Sequence, residues 1–426
     1  MLAVARVLDE ARQGVALLDG EGWGGTFLGA WPGDEVTVAL DTRDALDVAA
    51  RAVEVAADQH EEERGWAGAP AAPRWIGYLA YECARGLERP TWTRGGGRDD
   101  RPAPIGHAAV LRRYDAIARR DPRTGIVAVE SSDRAAGERL VDALLRAVPG
   151  DERRPTLSFL PVDADDAHRA RIVRALSLIA AGDLYQVNVA RKYAARVSTT
   201  PTALLAAMLG RTNARFGAAI DLGDHALTCT SPELFLDVRG STVRTTPIKG
   251  TRPRGDDAAN DARLARELDD DPKERAELTM IVDLERNDLG RIARLGTVRP
   301  RGDARIESSR TVHHRVHDVV AELRAGTSLG DVLRATFPSG SVTGAPKVRA
   351  MEVIATLETS RRGVYCGAIV ALSGRSLRAA MAIRTVVLDT ANGEAVYHAG
   401  GGIVADSDPD REVSETGWKA RQVTAR

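Results

Sequence analysis

Apolar positions recur at two periods along the chain and divide it into short extended runs and amphipathic helices. Between residues 14 and 40, glycines punctuate three runs that read as strands: Val15-Ala16-Leu17-Leu18-Asp19, Gly25-Thr26-Phe27-Leu28-Gly29 and Glu35-Val36-Thr37-Val38-Ala39-Leu40. Leu46, Ala49, Ala50, Val53 and Ala56 then recur at three and four. They predict a helix capped by Asp41 or Thr42 that ends in the solvated run His60-Glu61-Glu62-Glu63-Arg64. Trp75-Ile76-Gly77-Tyr78-Leu79-Ala80-Tyr81 predicts a buried strand whose aromatics belong to the core. Residues 93–104, rich in Gly, Arg, Asp and Pro, read as a mobile surface loop. Runs at 107–118 and 125–130 flank Asp121-Pro122-Arg123-Thr124-Gly125 as a hairpin, a helix follows at 134–148, and residues 149–158 are the best linker candidate.

In the second half, Asp165 or Asp166 opens a helix to about Ala181, closed by Gly182. Asp183-Leu184-Tyr185-Gln186-Val187-Asn188-Val189-Ala190-Arg191 predicts a strand with polar groups at alternate positions. Further strands run through 215–246, one ending at Ser231-Pro232-Glu233-Leu234-Phe235. Helices are expected near 257–288, 311–324, 328–336 and 345–358. Strands are expected at 364–373, 376–389 and 394–405, and a last helix at 409–422. Strands bunched with helices, without strict alternation or a fixed repeat, argue for an α+β fold.

Composition narrows the function classes. The 426 residues are 43% apolar and 28% charged, ordinary for a globular protein with a sizeable core. Fifty-nine basic residues nearly cancel 60 acidic ones, giving a net charge of -1. No block is basic enough for nucleic acid. Cys83, Cys229 and Cys366 lie far apart in no metal-ligand spacing, which fits a reducing cytoplasm without structural disulfides. The sequence shows neither a leader pattern nor a membrane-spanning run.

Candidate chemistry concentrates in a few places. In Thr245-Thr246-Pro247-Ile248-Lys249-Gly250-Thr251-Arg252-Pro253-Arg254-Gly255, three cations within six residues suit an anionic small molecule, and equally a basic surface loop. Lys249 could be a counter-ion, a base or a nucleophile, and the last two need a lowered pKa. Glu274 and Glu277 lie three apart on one face of a helix opened by Pro272, as do Glu412 and Glu415, with Lys419 one turn on. Each acidic turn alone could simply satisfy a helix dipole or a surface ion pair; two of them resemble halves of a magnesium site. Gly400, Gly401 and Gly402 follow a strand, where backbone N–H groups can face an anion. Arg384, inside a strand, needs an anionic partner if buried. Ser339-Gly340-Ser341-Val342-Thr343-Gly344-Ala345-Pro346-Lys347 reads as a helix cap or an anion loop. His313, His314 and His317 cluster on a predicted helix but lack the partners zinc requires.

Taken together, these motifs resemble the chorismate-utilising enzymes: the large subunits of anthranilate and aminodeoxychorismate synthases, with isochorismate and salicylate synthases as relatives. The likeness is dense over 165–422, through GDLYQVNVAR, TSPELF, PIKGTRPRG, MIVDLERNDLGRI, SGSVTGAPKVRAME, AIRT, HAGGGIV and a closing EXXXK. It implies two large antiparallel-rich sheets packed as a sandwich, helices outside, with the site in the cleft between them. Residues 1–150 would form an N-terminal, tryptophan-pocket-like part and 160–426 the chorismate-binding region, interwoven in one unit. It further implies Glu277 and Glu415 as Mg²⁺ ligands with Glu274 and Glu412 beside them. Gly250, Thr251, Tyr365, Arg384, Gly400, Gly401, Gly402 and Lys419 would surround substrate, Glu233 would act as general acid, and His314 would assist elimination. Lysine after Pro-Ile resembles the aminodeoxychorismate branch, where it is thought to add to C2, whereas anthranilate synthases resemble Pro-Ile-Ala. The expected function is therefore Mg²⁺-dependent amination of chorismate at C4, with ammonia from a separate glutamine amidotransferase subunit. Anthranilate synthase, or a non-catalytic ligand-binding or regulatory subunit, are the alternatives. Leu17-Leu18-Asp19-Gly20 stands where regulated relatives resemble Leu-Leu-Glu-Ser, so tryptophan inhibition is not expected.

Overall fold

The run at 15–18 is apolar throughout because both of its faces are covered. Ala16 and Leu18 enter the main core, while Val15 and Leu17 join a second cluster with Ala5, Leu8, Leu140 and Leu205. The chain, a computed structural model, is described over residues 1–58, 72–86, 99–147, 155–212 and 214–424. The run His60–Arg64, half of the 93–104 loop and most of the 149–158 linker lie outside the described residues.

The chain begins with α1 (Leu2–Glu10), β1 (Ala16–Asp19), β2 (Thr26–Gly29), β3 (Glu35–Ala39), α2 (Ala45–Asp58) and β4 (Trp75–Leu79). Next come β5 (His107–Arg113), β6 (Ala116–Arg120), β7 (Val127–Ser131), α3 (Arg134–Arg146), β8 (Leu160–Pro161), α4 (Asp165–Ala180), β9 (Gln186–Arg196) and α5 (Pro201–Leu209). The middle holds β10 (Phe216–Asp221), β11 (His225–Ser231), β12 (Leu234–Arg239), β13 (Thr242–Thr246), β14 (Ile248–Pro253), α6 (Ala258–Asp270) and α7 (Pro272–Gly290). The last part is β15 (Arg299–Ser308), β16 (Val312–Glu322), α8 (Leu329–Thr336), β17 (Gly344–Ala345), α9 (Lys347–Leu357), β18 (Ala368–Ser373), β19 (Ser376–Met381), β20 (Thr385–Asp389), β21 (Glu394–Ile403) and α10 (Pro409–Ala420).

Two antiparallel sheets result, and their facing sides share the main core, with Leu18, Ile220 and Leu227 from one and Tyr78, Leu236 and Ile369 from the other. One sheet runs β17-β9-β21-β20-β11-β10-β1-β2-β6-β7, with β8 on β9; the other runs β14-β16-β13-β12-β19-β18-β4-β5-β3, with β15 on β16. Strands from the first 131 residues extend both sheets, through β1 on β10 and β4 on β18. The α+β sandwich with helices outside is therefore what the chain adopts. No described helix is long and apolar enough to cross a membrane.

Four local expectations need correction. The predicted helix at 311–324, carrying His313, His314 and His317, is the strand β16. Its valines (312, 316, 319 and 320) fit a helical spacing, yet β-branched side chains favour a pleated surface, and β13, β14 and β15 all pair with it. The helix at 257–288 is two helices, broken where Asp271 caps α7 by accepting from the N–H groups of Lys273 (3.0 Å) and Glu274 (3.2 Å) and Pro272 takes the first turn. The strand at 376–389 is also two, because the chain leaves one sheet after Met381 and enters the other at Thr385. Finally, Gly400, Gly401 and Gly402 do not follow a strand but lie inside β21. Residues 2–10, given no element by the pattern, are helical, and the 183–191 strand begins only at Gln186.

Two crossings between the sheets stand side by side. Ser231-Pro232-Glu233 carries the chain from β11 to β12, and Ala382-Ile383-Arg384 carries it back from β19 to β20. Met381 N–H donates to the Glu233 carbonyl (3.0 Å) and Thr230 N–H to the Arg384 carbonyl (3.1 Å). Arg384 turns the corner at φ 55°, a strained value for a residue with a Cβ.

Candidate active site

β13 and β14 lie end to end along one edge of β16, interrupted at Pro247, which has no N–H to give the ladder. One residue further on, register slips: Lys249 opposes Arg315 and Thr251 opposes His314, leaving Gly250 as the extra residue of a bulge at φ 80°. A methyl group there would meet Glu274 Oε2 at 3.0 Å, so glycine lets α7 close against the strand. Of the three cations in this segment, two are already engaged. Arg252 donates to Asp271 (2.8 Å) and Glu274 (3.3 Å), and Arg254 forks onto Asp261 with two bonds of 2.7 Å. Lys249 has no hydrogen-bond or ion-pair partner among the described residues. Burial lowers its pKa, helped by the like charge of Lys419 and opposed by Glu277, Glu233 and Glu415.

The two acidic helices are built alike. Both open with Asp-Pro, and Asp408 caps α10 as Asp271 caps α7. The ammonium of Lys273 on α7 acts on both Glu412 and Glu415 of α10, so the acidic turns face one another across the cleft. Burial raises Glu274, aided by Glu277, and burial raises Glu412, aided by Glu415. Lys419 instead holds Glu415 low, with Nζ 2.6 Å from its carboxylate. The four carboxylates are shared out among cations: Lys273 lies 3.7 Å from Glu277 and Arg252 3.3 Å from Glu274, while Ser407 Oγ donates to Glu412 (2.8 Å). Among the described residues, the only three-residue set with ligand atoms within 4.8 Å of one another is His107, Asp224 and His225. There His225 bridges Asp224 (2.6 Å) and the Tyr78 hydroxyl (3.0 Å), tying the two sheets together. The glutamates form an oxygen-rich pair of turns that suits a hard divalent ion, with lysines as internal counter-charges.

The glycine run supplies the floor. β20 pairs with β21 only as far as Tyr397, so Gly400 to Ile403 keep β9 on one side and an open edge on the other. Lys419 Nζ donates to the Gly400 carbonyl (2.8 Å) at that edge. Because N–H and C=O of one strand residue point the same way, the N–H groups of Gly400 and Gly402 also face the opening. A methyl on Gly402 would come 3.1 Å from Lys249 Nζ and 3.2 Å from the Gln186 amide, and one on Gly401 2.8 Å from Glu412 Oε2. The missing side chains make room for Lys249 and Glu412.

Glu233 sits at the sheet crossing, 6% exposed, with its pKa pushed up to about 7 by burial. Ser341 Oγ donates to it (2.8 Å), and Lys249 and Lys419 pull the other way. It is therefore half-protonated near neutrality, as a proton donor to an oxygen leaving group must be. His314 Nδ1 lies 3.0 Å from Thr251 Oγ1, and burial together with Arg384 pushes its pKa down to about 4. The Arg384 guanidinium has no carboxylate partner among the described residues and stands free for an anion. Tyr365 is held in separate contacts, stacked on His398 at 5.3 Å with Arg362 over its ring at 5.6 Å.

Sequence reasoning gave no role to Gln186, Ser341 or Glu285. Gln186 is fully buried, and neither amide atom has a partner among the described residues. Its signal was a long polar side chain at the start of an otherwise apolar strand run. Ser341 lay in a segment whose cap explanation sufficed.

Comparisons with known proteins agree in kind. A profile described as chorismate binding enzyme matches residues 14–425. Anthranilate synthase component 1 of Streptomyces coelicolor is 38% identical over 371 residues, covering 81% of this chain and 71% of that protein. Aminodeoxychorismate synthase component 1 of Bacillus subtilis is 35% identical over 359 residues, covering 81% and 75%. The crystal structure of anthranilate synthase component I from Streptococcus pneumoniae superposes with a TM-score of 0.79 at 29% identity, covering 94% of this chain and 92% of that one.

Proposed function

The chain belongs to the chorismate binding enzyme family, and from that premise we propose that it aminates chorismate at C4, as the component I of an aminodeoxychorismate synthase. One observation supports this branch above others: a half-buried Lys249 amine, without a hydrogen-bond or ion-pair partner among the described residues, stands at the Cβ-less face of Gly402. A free lysine is only about 0.1% neutral at pH 7.4, so a lowered pKa is the first requirement of a nucleophilic amine.

In this reading, Arg384, Lys419 and the open N–H groups of Gly400 and Gly402 receive the substrate's carboxylates. Thr251 and His314 close one side, and Tyr365 packs behind. Lys249 Nζ adds to ring carbon C2, both ring double bonds shift, and the C4–O bond breaks. Glu233 gives its proton to the departing oxygen, which leaves as water. Ammonia then bonds to C4, the double bonds shift back, and the Lys249 C2–N bond breaks to restore the amine. His314, neutral at working pH, can orient Thr251 but holds no proton to give. Glu277 and Glu415, with Glu274 and Glu412, would hold Mg²⁺. When bound, the ion neutralises substrate carboxylate and polarises the leaving oxygen.

The ammonia has to come from elsewhere. Cys83, Cys229 and Cys366 are all buried, and burial pushes the Cys229 thiol up to about 11 and Cys366 to about 12. None is a nucleophile for glutamine, which supports a separate amidotransferase subunit. Anthranilate synthase is the second reading, favoured by the Streptomyces coelicolor and Streptococcus pneumoniae relatives.

Product analysis after incubation with chorismate, ammonium and Mg²⁺ separates the two. 4-Amino-4-deoxychorismate supports the first; anthranilate overturns it. Lys249→Arg and Lys249→Ala should both lose most product, because guanidinium stays protonated. Intact-mass spectrometry of the native enzyme without ammonia should show a substrate adduct absent from both variants. A fully active Lys249→Arg enzyme returns the lysine to a counter-ion.

A further inference from the structure

Glu233 is enclosed, and each turnover that takes its proton obliges the protein to bring another. Among the described residues, one chain of side-chain hydrogen bonds leads away from it. Ser341 Oγ donates to Glu233 Oε1 (2.8 Å) and lies 3.0 Å from Ser339 Oγ, and Ser339 Oγ donates to Glu285 Oε1 (2.7 Å). All three are buried: Ser341 is 7% exposed, Ser339 3% and Glu285 1%. The serines belong to the short turn that closes the segment 339–343, and Glu285 comes from the inner face of α7. The other Glu285 oxygen, Oε2, is buried with no partner among the described residues, which an ionised carboxylate would not tolerate. One turn along α7, Asp288 is paired with Lys347 Nζ at 2.5 Å, and Lys347 reaches the solvent side, 17% exposed.

We propose that Ser341, Ser339 and Glu285 form a proton relay that recharges Glu233 from the far side of α7; this rests on the reading of Glu233 as the acid. The balance is simple. When Glu233 has lost its proton, Ser341 Oγ–H passes one to Glu233, Ser339 turns its O–H from Glu285 to Ser341 and replaces it, and the Glu285 carboxyl, protonated on Oε1, donates to Ser339 and replaces that. Glu285 is in turn re-protonated by water from the side of α7 that carries the Asp288–Lys347 pair. Each hydroxyl gives one proton and receives one, and no bond other than O–H or N–H changes. The charged groups facing the two ends are Lys249 and Lys419 at Glu233, and Asp288, Lys347 and Glu233 itself at Glu285. Burial pushes both carboxyls up, so each end of the path can hold a proton near neutrality. The relay also gives the 339–343 segment a role beyond capping.

The test compares native enzyme with Ser341→Ala, Ser341→Thr, Ser339→Ala, Glu285→Gln and Glu233→Gln. Chorismate consumption with ammonium and Mg²⁺ is followed in the first turnover and at steady state. Breaking the relay should leave KM and the first turnover near native below about pH 6, where Glu233 starts protonated, and lower kcat about tenfold above about pH 7.5. Imidazolium buffer should restore that loss, and Ser341→Thr, which keeps the hydroxyl, should behave as native. Infrared titration of the substrate-free enzyme gives an independent readout: Glu285→Gln should remove one protonated-carboxyl band that titrates near neutrality. Equal losses in first turnover and kcat at every pH, without buffer rescue, would mean that the serines only position Glu233 and overturn the relay. Native behaviour of Ser339→Ala and Glu285→Gln does the same. An active Glu233→Gln variant instead removes the acid assignment, and the relay with it, while native enzyme that consumes no chorismate removes the functional reading itself.

Discussion

Two cations of the sandwich, Arg362 and Lys249, teach opposite lessons. Arg362, 1% exposed, has a partner at every nitrogen: it forks onto Glu358 (2.9 and 2.7 Å), donates to the carbonyls of Val342 and Asn188 (3.0 Å each) and lies 4.7 Å over Tyr81. Burial opposes its charge, yet Glu358 and its neighbours hold its pKa well above the ordinary arginine value. Lys249 is enclosed by the same sandwich with no partner among the described residues, and burial drives its pKa down. A satisfied buried charge fixes the fold; an unsatisfied one is chemistry held in reserve.

Removing each cation should separate these roles. Arg362→Met leaves Glu358 buried without its counter-charge and should cost about 3–5 kcal/mol in urea unfolding. Lys249→Met should be neutral or stabilising in the same measurement. Equal destabilisation by both would dissolve the contrast. The next largest effect concerns the acidic turns. Glu277→Gln and Glu415→Gln should each lower kcat/KM at least about a hundredfold, about 2.7 kcal/mol, with unchanged unfolding curves. Near-native rates at low Mg²⁺ would remove both as ligands.

The smallest effect lies in pH. Glu233 is raised to about 7 in the fold, so the stability it contributes is complete below about pH 4.5, its unfolded value, and is lost as pH rises through about 7. Glu233→Gln should therefore flatten the decline in stability between those limits. In the native enzyme the acid-dependent limb of kcat should fall as pH rises through about 7. A decline of the same slope in both proteins would mean that Glu233 ionises freely.

Most of the site was legible because its parts are local. The Asp-Pro starts and three-residue carboxylate spacing of α7 and α10 can be read from a few neighbouring positions. So can the Pro247–Gly250 break around Lys249. What escaped was set by distance or by an ambiguous period. Valines at 312, 316, 319 and 320 satisfy a helix template, and only three neighbouring strands make β16 a strand. The glycine run reads as lying after a strand because nothing local shows that the pairing of β20 with β21 stops at Tyr397 and leaves an open edge. The Ser341–Glu233 and Ser339–Glu285 bonds span 108 and 54 residues, beyond any motif.

The early strands wedged into both sheets also set a timetable for synthesis. β4 ends at Leu79, but its partner β18 begins at Ala368, so 289 residues (368 − 79) must be made before that edge is paired. At about 5–20 residues per second, roughly 15–60 s pass with an apolar strand edge waiting. The nascent chain thus carries its longest exposure where it is most hydrophobic, and its yield in a cell should depend on chaperone supply more than its final stability suggests.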